Sequence, residues 1–116
     1  SARLYMGRLD VEISRKLGRC APALPYLHMS LIVELRAVWI YRIYQIVLME
    51  QKAGLSLKSI LAEEELHLRA MLARLQEMDR DAKTRIALFC GFEETRFRTL
   101  WSQIEEECAV HRLAAE

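Results

Sequence analysis

Apolar residues recur along this chain at the three-and-four spacing of α-helices, and strict alternation never lasts more than a few positions. In residues 2–17, Ala2, Tyr5, Leu9, Ile13 and Leu17 make one stripe, with charged residues on the other faces. This pattern predicts an amphipathic helix within the N-terminal segment 1–20. Gly18 is a natural stop. Pro22 and Pro25 follow, and proline both removes an amide donor and crowds the preceding turn. Residues 21–25 are therefore expected to be a linker, with the bundle helices in 26–116.

A second helix is expected over residues 26–52. Leu27, Leu31, Glu34, Val38, Tyr41, Gln45 and Leu48 fall at alternating steps of four and three. Ile32, Val33, Ile40, Ile43, Ile46 and Val47 make the remaining faces apolar too. A helix apolar nearly all round is buried in protein or lies against lipid. This one is long enough to span a bilayer. Glu34, Arg36 and Arg42 in its middle are expensive in hydrocarbon, however. It reads as the central helix of a bundle, with one face available to a membrane.

Gly54 ends that helix, and Ser56 is the expected N-cap of a third over residues 57–78. Its stripe is Leu57, Ile60, Leu68, Met71, Leu75 and Met78. Glu64 and His67 fall on the stripe, whereas Glu63, Glu65, Arg69 and Arg74 fall off it. Residues 79–81 mark a break. Residues 82–90 are helical again, Gly91 permits a kink, and a last helix runs over 93–115. Its expected inner stripe is Phe97, Leu100, Trp101, Ile104, Cys108 and His111, flanked by Glu105 and Glu107. The fold class is all-α, an antiparallel bundle of about four helices in one domain, 1–116.

Composition narrows the function. Hydrophobic residues make up 53% of the 116, more than a soluble domain usually carries, as the second helix requires. A net charge of +1 and scattered basic residues argue against a dedicated nucleic-acid binder. Cys20, Cys90 and Cys108 are odd in number and far apart, which speaks for a reducing compartment and for three small core residues. The chain has no Gly-x-Ser-x-Gly elbow and no phosphate loop. His28, near the start of an apolar helix, reads as structural. Trp39, Tyr41 and Tyr44 read as core or lipid-facing. The chain begins at Ser1 rather than Met, which cleavage of a tag or of a targeting segment would both explain.

The candidate chemistry lies between Glu34 and His67. Carboxylates and an imidazole on apolar stripes are costly unless something pairs with them. Residues three apart share a helical face, so Glu64 and His67 in Glu64-Glu65-Leu66-His67 can reach one metal ion. Glu34, on the preceding helix, comes level with them if the two helices are antiparallel across a short turn. Helical bundles hold di-iron pairs with such Glu and Glu-x-x-His sets. The alternative is that Glu34 and His67 are core polar residues satisfied by Arg36, Arg42 or backbone.

Glu34-Leu35-Arg36-Ala37-Val38-Trp39-Ile40-Tyr41 resembles the first ligand helix of demethoxyubiquinone hydroxylases, where the pattern is Gly-Glu-x-Gly-Ala-x-x-Ile-Tyr. Glu64 to Leu68 is similar to that family's second ligand helix at the same separation. The stretch from Ile104 to His111 resembles the third, with Glu105 and His111 matching. The resemblance implies a ferritin-like fold and hydroxylation of a quinone ring by two irons. It implies Glu34 as a terminal ligand, Glu64 as a bridge, His67 as an outer imidazole and Glu105 as a further ligand; Glu107 and His111 are secondary candidates. It also implies a site of action on the mitochondrial inner membrane or its matrix face, or on the bacterial cytoplasmic membrane.

The departures matter as much. Ser30, Leu31, Ile32 and Val33 stand where the family has Asp-His-Ala-Gly, and Arg36 replaces a glycine, placing a bulky cation near the proposed site. The last Glu-x-x-His is absent; Glu107 and His111 stand at i and i+4 instead. The favoured expectation is a non-catalytic, membrane-associated descendant of that family, a subunit of a larger respiratory-type assembly, with di-iron as its cofactor if the site is intact and otherwise none. The alternatives are an active di-iron monooxygenase in ubiquinone biosynthesis, or an encapsulated-ferritin-like ferroxidase with an iron site shared across a dimer. Expected partners are other protein subunits or a second copy, and a membrane surface, lipid or quinone; none is a nucleic acid.

Overall fold

Four helices account for most of residues 1–18 and 22–115, the residues described by the computed structural model. They are α1 (Ala2–Leu17), α2 (Ala23–Glu50), α3 (Lys58–Met78) and α4 (Ala82–Ala115), with no strand among the described residues. The all-α four-helix bundle expected from periodicity is what forms.

The stripe of α1 behaves as its spacing requires: Tyr5, Leu9, Ile13 and Leu17 are buried, although Ala2 is exposed. The Ser1 hydroxyl accepts the Leu4 amide, satisfying one of the orphan donors of the first turn. Gly18 closes the helix at φ 61°, a left-handed conformation that suits glycine, and its amide donates to the Ser14 carbonyl at 3.0 Å. Ala21 and Cys20 lie outside the described residues. The rest of the expected linker differs from expectation, because α2 already begins at Ala23. Pro25 sits in its first turn, where an amide would have no intrahelical partner, so proline costs little there.

Helix α2 is the hub. It packs against α1, α3 and α4; α1 also packs on α4, α3 meets α4 only lightly, and α1 does not meet α3. Leu24, Leu31 and Ile32 of α2 join Leu9 and Ile13 of α1, Leu75 of α3 and Phe89 of α4 in one core. The chain measures 53 × 31 × 18 Å with a radius of gyration of 17.0 Å. A compact domain of this length would have a radius near 13 Å. Helix axes 8–10 Å apart would give a closed two-by-two bundle only about 15 Å across between Cα atoms. The width of 31 Å is that of helices splayed on either side of α2.

Splaying explains where expectation and structure part. On α3, Leu75 is fully buried and Leu57, Leu68 and Met71 are half-buried, but Ile60 and Met78 are exposed. Ser56 is not the N-cap; Leu57 holds that position, and the Ser56 hydroxyl instead accepts the Lys58 amide. Helix α4 runs unbroken through Gly91, so one helix stands where two were expected. On that helix Phe97 and Leu100 are half-buried, whereas Trp101, Ile104, Cys108 and His111 are exposed. Among the described residues, the α4 segment beyond Gln103 is exposed throughout, so periodicity there marks a shared face and not burial. Cys90 is half-buried and Cys108 is not a core residue at all. Trp39, Tyr41 and Tyr44 are likewise exposed. Among the described residues, no helix is long and apolar enough to cross a membrane.

The turn between α3 and α4 is pinned by a buried polar cluster. His28 Nε2 lies 2.8 Å from Asp79 Oδ2; a carboxylate only accepts, so the imidazole donates. The other Asp79 oxygen accepts the Asp81 amide at 3.0 Å and Arg85 at 2.7 Å. Burial alone would raise the Asp79 pKa, but these three donors outweigh it and hold the carboxyl below its ordinary range. The His28 ring meets Phe89 edge-on at 4.9 Å.

Candidate metal centre

Register places the site. The buried Gln45 side chain of α2 accepts the Leu57 amide at the start of α3. This satisfies an orphan donor of the helix terminus and fixes where α3 sets off along α2. Glu34 lies about three turns back along α2, and Glu64 and His67 lie two to three turns on along α3. The antiparallel pair therefore brings them level. One donor atom from each of Glu34, Glu64 and His67 falls within 4.8 Å of the others, and no fourth His, Cys, Asp or Glu joins them among the described residues. His67 Nδ1 is 4.0 Å from Glu64 Oε2.

Glu34 and Glu64 are half-buried and His67 is exposed. The Glu34 Oε1 atom is buried and has no hydrogen-bond partner. Such an oxygen carries an uncompensated desolvation cost of about 1–3 kcal/mol, and more when charged. Neither arginine proposed to satisfy it does so. Arg42 pairs with Glu65 at 2.8 Å. Arg36, two residues on and so about 200° round the helix, points away into α4. The bulky cation expected beside the site is not there.

Arg36 instead clasps Glu93 of α4 with both ends of its guanidinium, Nε to Oε2 at 2.7 Å and the terminal nitrogen to Oε1 at 2.6 Å. The Tyr5 hydroxyl donates to the same Oε2 at 2.6 Å. The guanidinium also stacks over Phe97 at 3.9 Å and Trp39 at 4.8 Å. Burial first, and then the hydrogen bond to Glu93, push the Tyr5 phenol well above its usual range. The hydrogen bond to Glu93 raises Arg36 against the opposing effect of burial, so the guanidinium stays charged. Burial, with Glu93 nearby, also lifts the Cys90 thiol. Sequence reasoning missed Glu93. The signal was present, since Phe89, Glu93 and Phe97 are four apart and Glu93 interrupts that apolar row as Glu64 interrupts its own.

The remaining candidates lie elsewhere. Glu105 is exposed on α4 and accepts the Trp101 indole N–H at 2.7 Å. Glu107 and His111 are exposed further along the same helix, and none of the three joins the cluster. An open groove of about 600 Å³ runs where α1 and α3 fail to meet, lined by Tyr26, Met29, Val33, Glu34, His67 and Met71 among others. It gives small molecules access to the cluster.

Three donors suit one cation. A first-row ion about 2.1 Å from each ligand holds its neighbouring donors roughly 3.0–3.4 Å apart. The side chains must therefore draw in by about 1 Å, which the exposed His67 allows. The carboxylate set of a complete di-iron pair is not assembled within the described residues. Compared with known proteins, the chain matches no family model, no curated protein and no solved structure.

Proposed function

We propose that this protein is a metal-binding helical subunit in which Glu34, Glu64 and His67 hold one divalent first-row cation of the iron class. The orphaned Glu34 Oε1, buried beside Glu64 and His67, carries the reading. Two carboxylates and an imidazole are ligands that iron, manganese and zinc all accept. Iron in that position would supply redox and Lewis-acid chemistry. The chain's own part is to fix Glu34 from the rigid α2, to present Glu64 and His67 from one face of α3, and to leave the groove side open to a ligand. A ferritin-like di-iron ancestry, as the motifs imply, agrees with this donor set. A dinuclear oxygenase or ferroxidase site would need donors from a second chain. The test is calorimetric titration with Mn(II): one site per chain is expected, weakened at least tenfold in Glu34→Gln, with helicity unchanged. No binding, or equal binding by the variant, would overturn the assignment.

A second reading is a non-catalytic subunit of a larger membrane-associated assembly, of the respiratory type. It is favoured by the exposed apolar side chains Trp39, Ile43 and Val47 on α2. Any membrane association of the described residues would be peripheral, since no helix among them is suited to crossing. That reading gains if the titration shows no metal.

A further inference from the structure

We infer that α2 and α4 carry the interface of a homodimer, and that its centre is the bare apolar face around Ile43. The inference does not depend on the metal reading. Trp39, Ile40, Ile43, Tyr44 and Val47 form two adjacent rows at i and i+4 along α2. With Trp101 of α4 they border a groove of about 330 Å³ that has no charged side chain in its lining. Each of these six side chains is between 42% and 56% exposed.

The area decides what could cover them. Large apolar side chains bury on the order of 150–250 Å² when fully covered, so half-exposed ones offer about 100 Å² apiece. Six give roughly 600 Å², and the neighbouring Ile46 and Ile104, also exposed, bring the patch towards the ~800 Å² per partner of a stable interface. A patch of that size is at or above the largest that monomers usually expose.

A second copy fits this face better than a lipid surface does. Anionic bilayers are recognised by free cations flanking an apolar face. The arginines interspersed with it along both helices are already paired, Arg36 with Glu93, Arg42 with Glu65 and Arg98 with Glu94. A charge-free lining meets no like-charge repulsion from its own two-fold mate, and the i, i+4 ridges of two α2 helices can interdigitate. Pairing would also give the solitary end of α4 something to pack on.

The experiment is sedimentation of the full chain at tens of micromolar, with helicity followed by circular dichroism. The wild type should sediment at twice the 13.6 kDa chain mass. Ile43→Glu should weaken the dimer by roughly thirtyfold or more. Leu66→Glu, on the outer face of α3 and 65% exposed, should leave it intact. Should Ile43→Glu lose helix, Trp101→Ala is read in its place, with the same loss of dimer expected. A monomeric wild type overturns the proposal, whether or not it binds phosphatidylcholine–phosphatidylglycerol vesicles. So does a dimer that withstands the substitutions on this face.

Discussion

Replacing Arg36 with methionine should cost the fold about 3 kcal/mol. Glu93 is only 4% exposed, and Arg36 supplies two of its three hydrogen bonds. Breaking a buried pair by removing one partner typically costs 3–5 kcal/mol, because the other charge stays behind unpaired. The Arg36 side chain is 18% exposed, so water can reach part of the gap, which places the cost at the lower end. Methionine keeps an apolar stem against Phe97 and limits the packing loss. The double variant Arg36→Met with Glu93→Gln removes both charges and leaves an amide oxygen to accept the Tyr5 hydroxyl. It should cost only about 1–2 kcal/mol, less than Arg36→Met alone. Urea unfolding followed by circular dichroism reads both, at one fixed protein concentration because assembly adds to stability. With a slope of about 2 kcal/mol per molar urea, the single variant's midpoint should fall by about 1.5 M. A loss under about 1 kcal/mol for Arg36→Met, or strictly additive effects in the double variant, would refute the view that this bridge fastens α2 to α4.

The Asp79 carboxyl ionises more readily folded than unfolded, so its contribution is complete above the ordinary aspartate range and is lost as pH falls from there through the lowered folded value. The stability gap between wild type and Asp79→Asn should therefore shrink between about pH 5 and pH 3; a gap constant across that window would contradict the cluster with His28 and Arg85. Gln45→Ala strips the Leu57 amide of its acceptor and should cost about 1–2 kcal/mol in the same urea assay. Because Gln45 also sets register, that variant should bind Mn(II) more weakly, and unchanged affinity would show that the site does not need this contact.

The sequence disclosed what depends on neighbours along the chain. Tyr5, Leu9, Ile13 and Leu17 announced α1 because burial on one face imposes that spacing. The break at residues 79–81 was legible for the same local reason. The meeting of Glu34 with Glu64 and His67 could be foreseen because a helical hairpin brings such positions level, and the short spacing between Glu64 and His67 puts both on one face. Pairings across distant segments were not legible. Arg36 and Glu93 are 57 residues apart, and nothing local in either helix says that they meet. Nor does periodicity say whether a face is covered: Ile104, Cys108 and His111 keep helical spacing yet are exposed. Two helical stretches were expected on either side of Gly91 because glycine permits a kink, but a helix interior tolerates glycine at about 1 kcal/mol, and α4 simply continues.

Anaerobic loading with Fe(II) shows whether Glu34, Glu64 and His67 bind metal together. The loaded protein is freed of loose metal and analysed for iron per chain, beside Glu64→Gln and His67→Ala treated in the same way. A shared site predicts about one iron per chain in the wild type and a marked loss in both variants, with all three equally helical. No iron in the wild type, or the same iron in the variants, would contradict it.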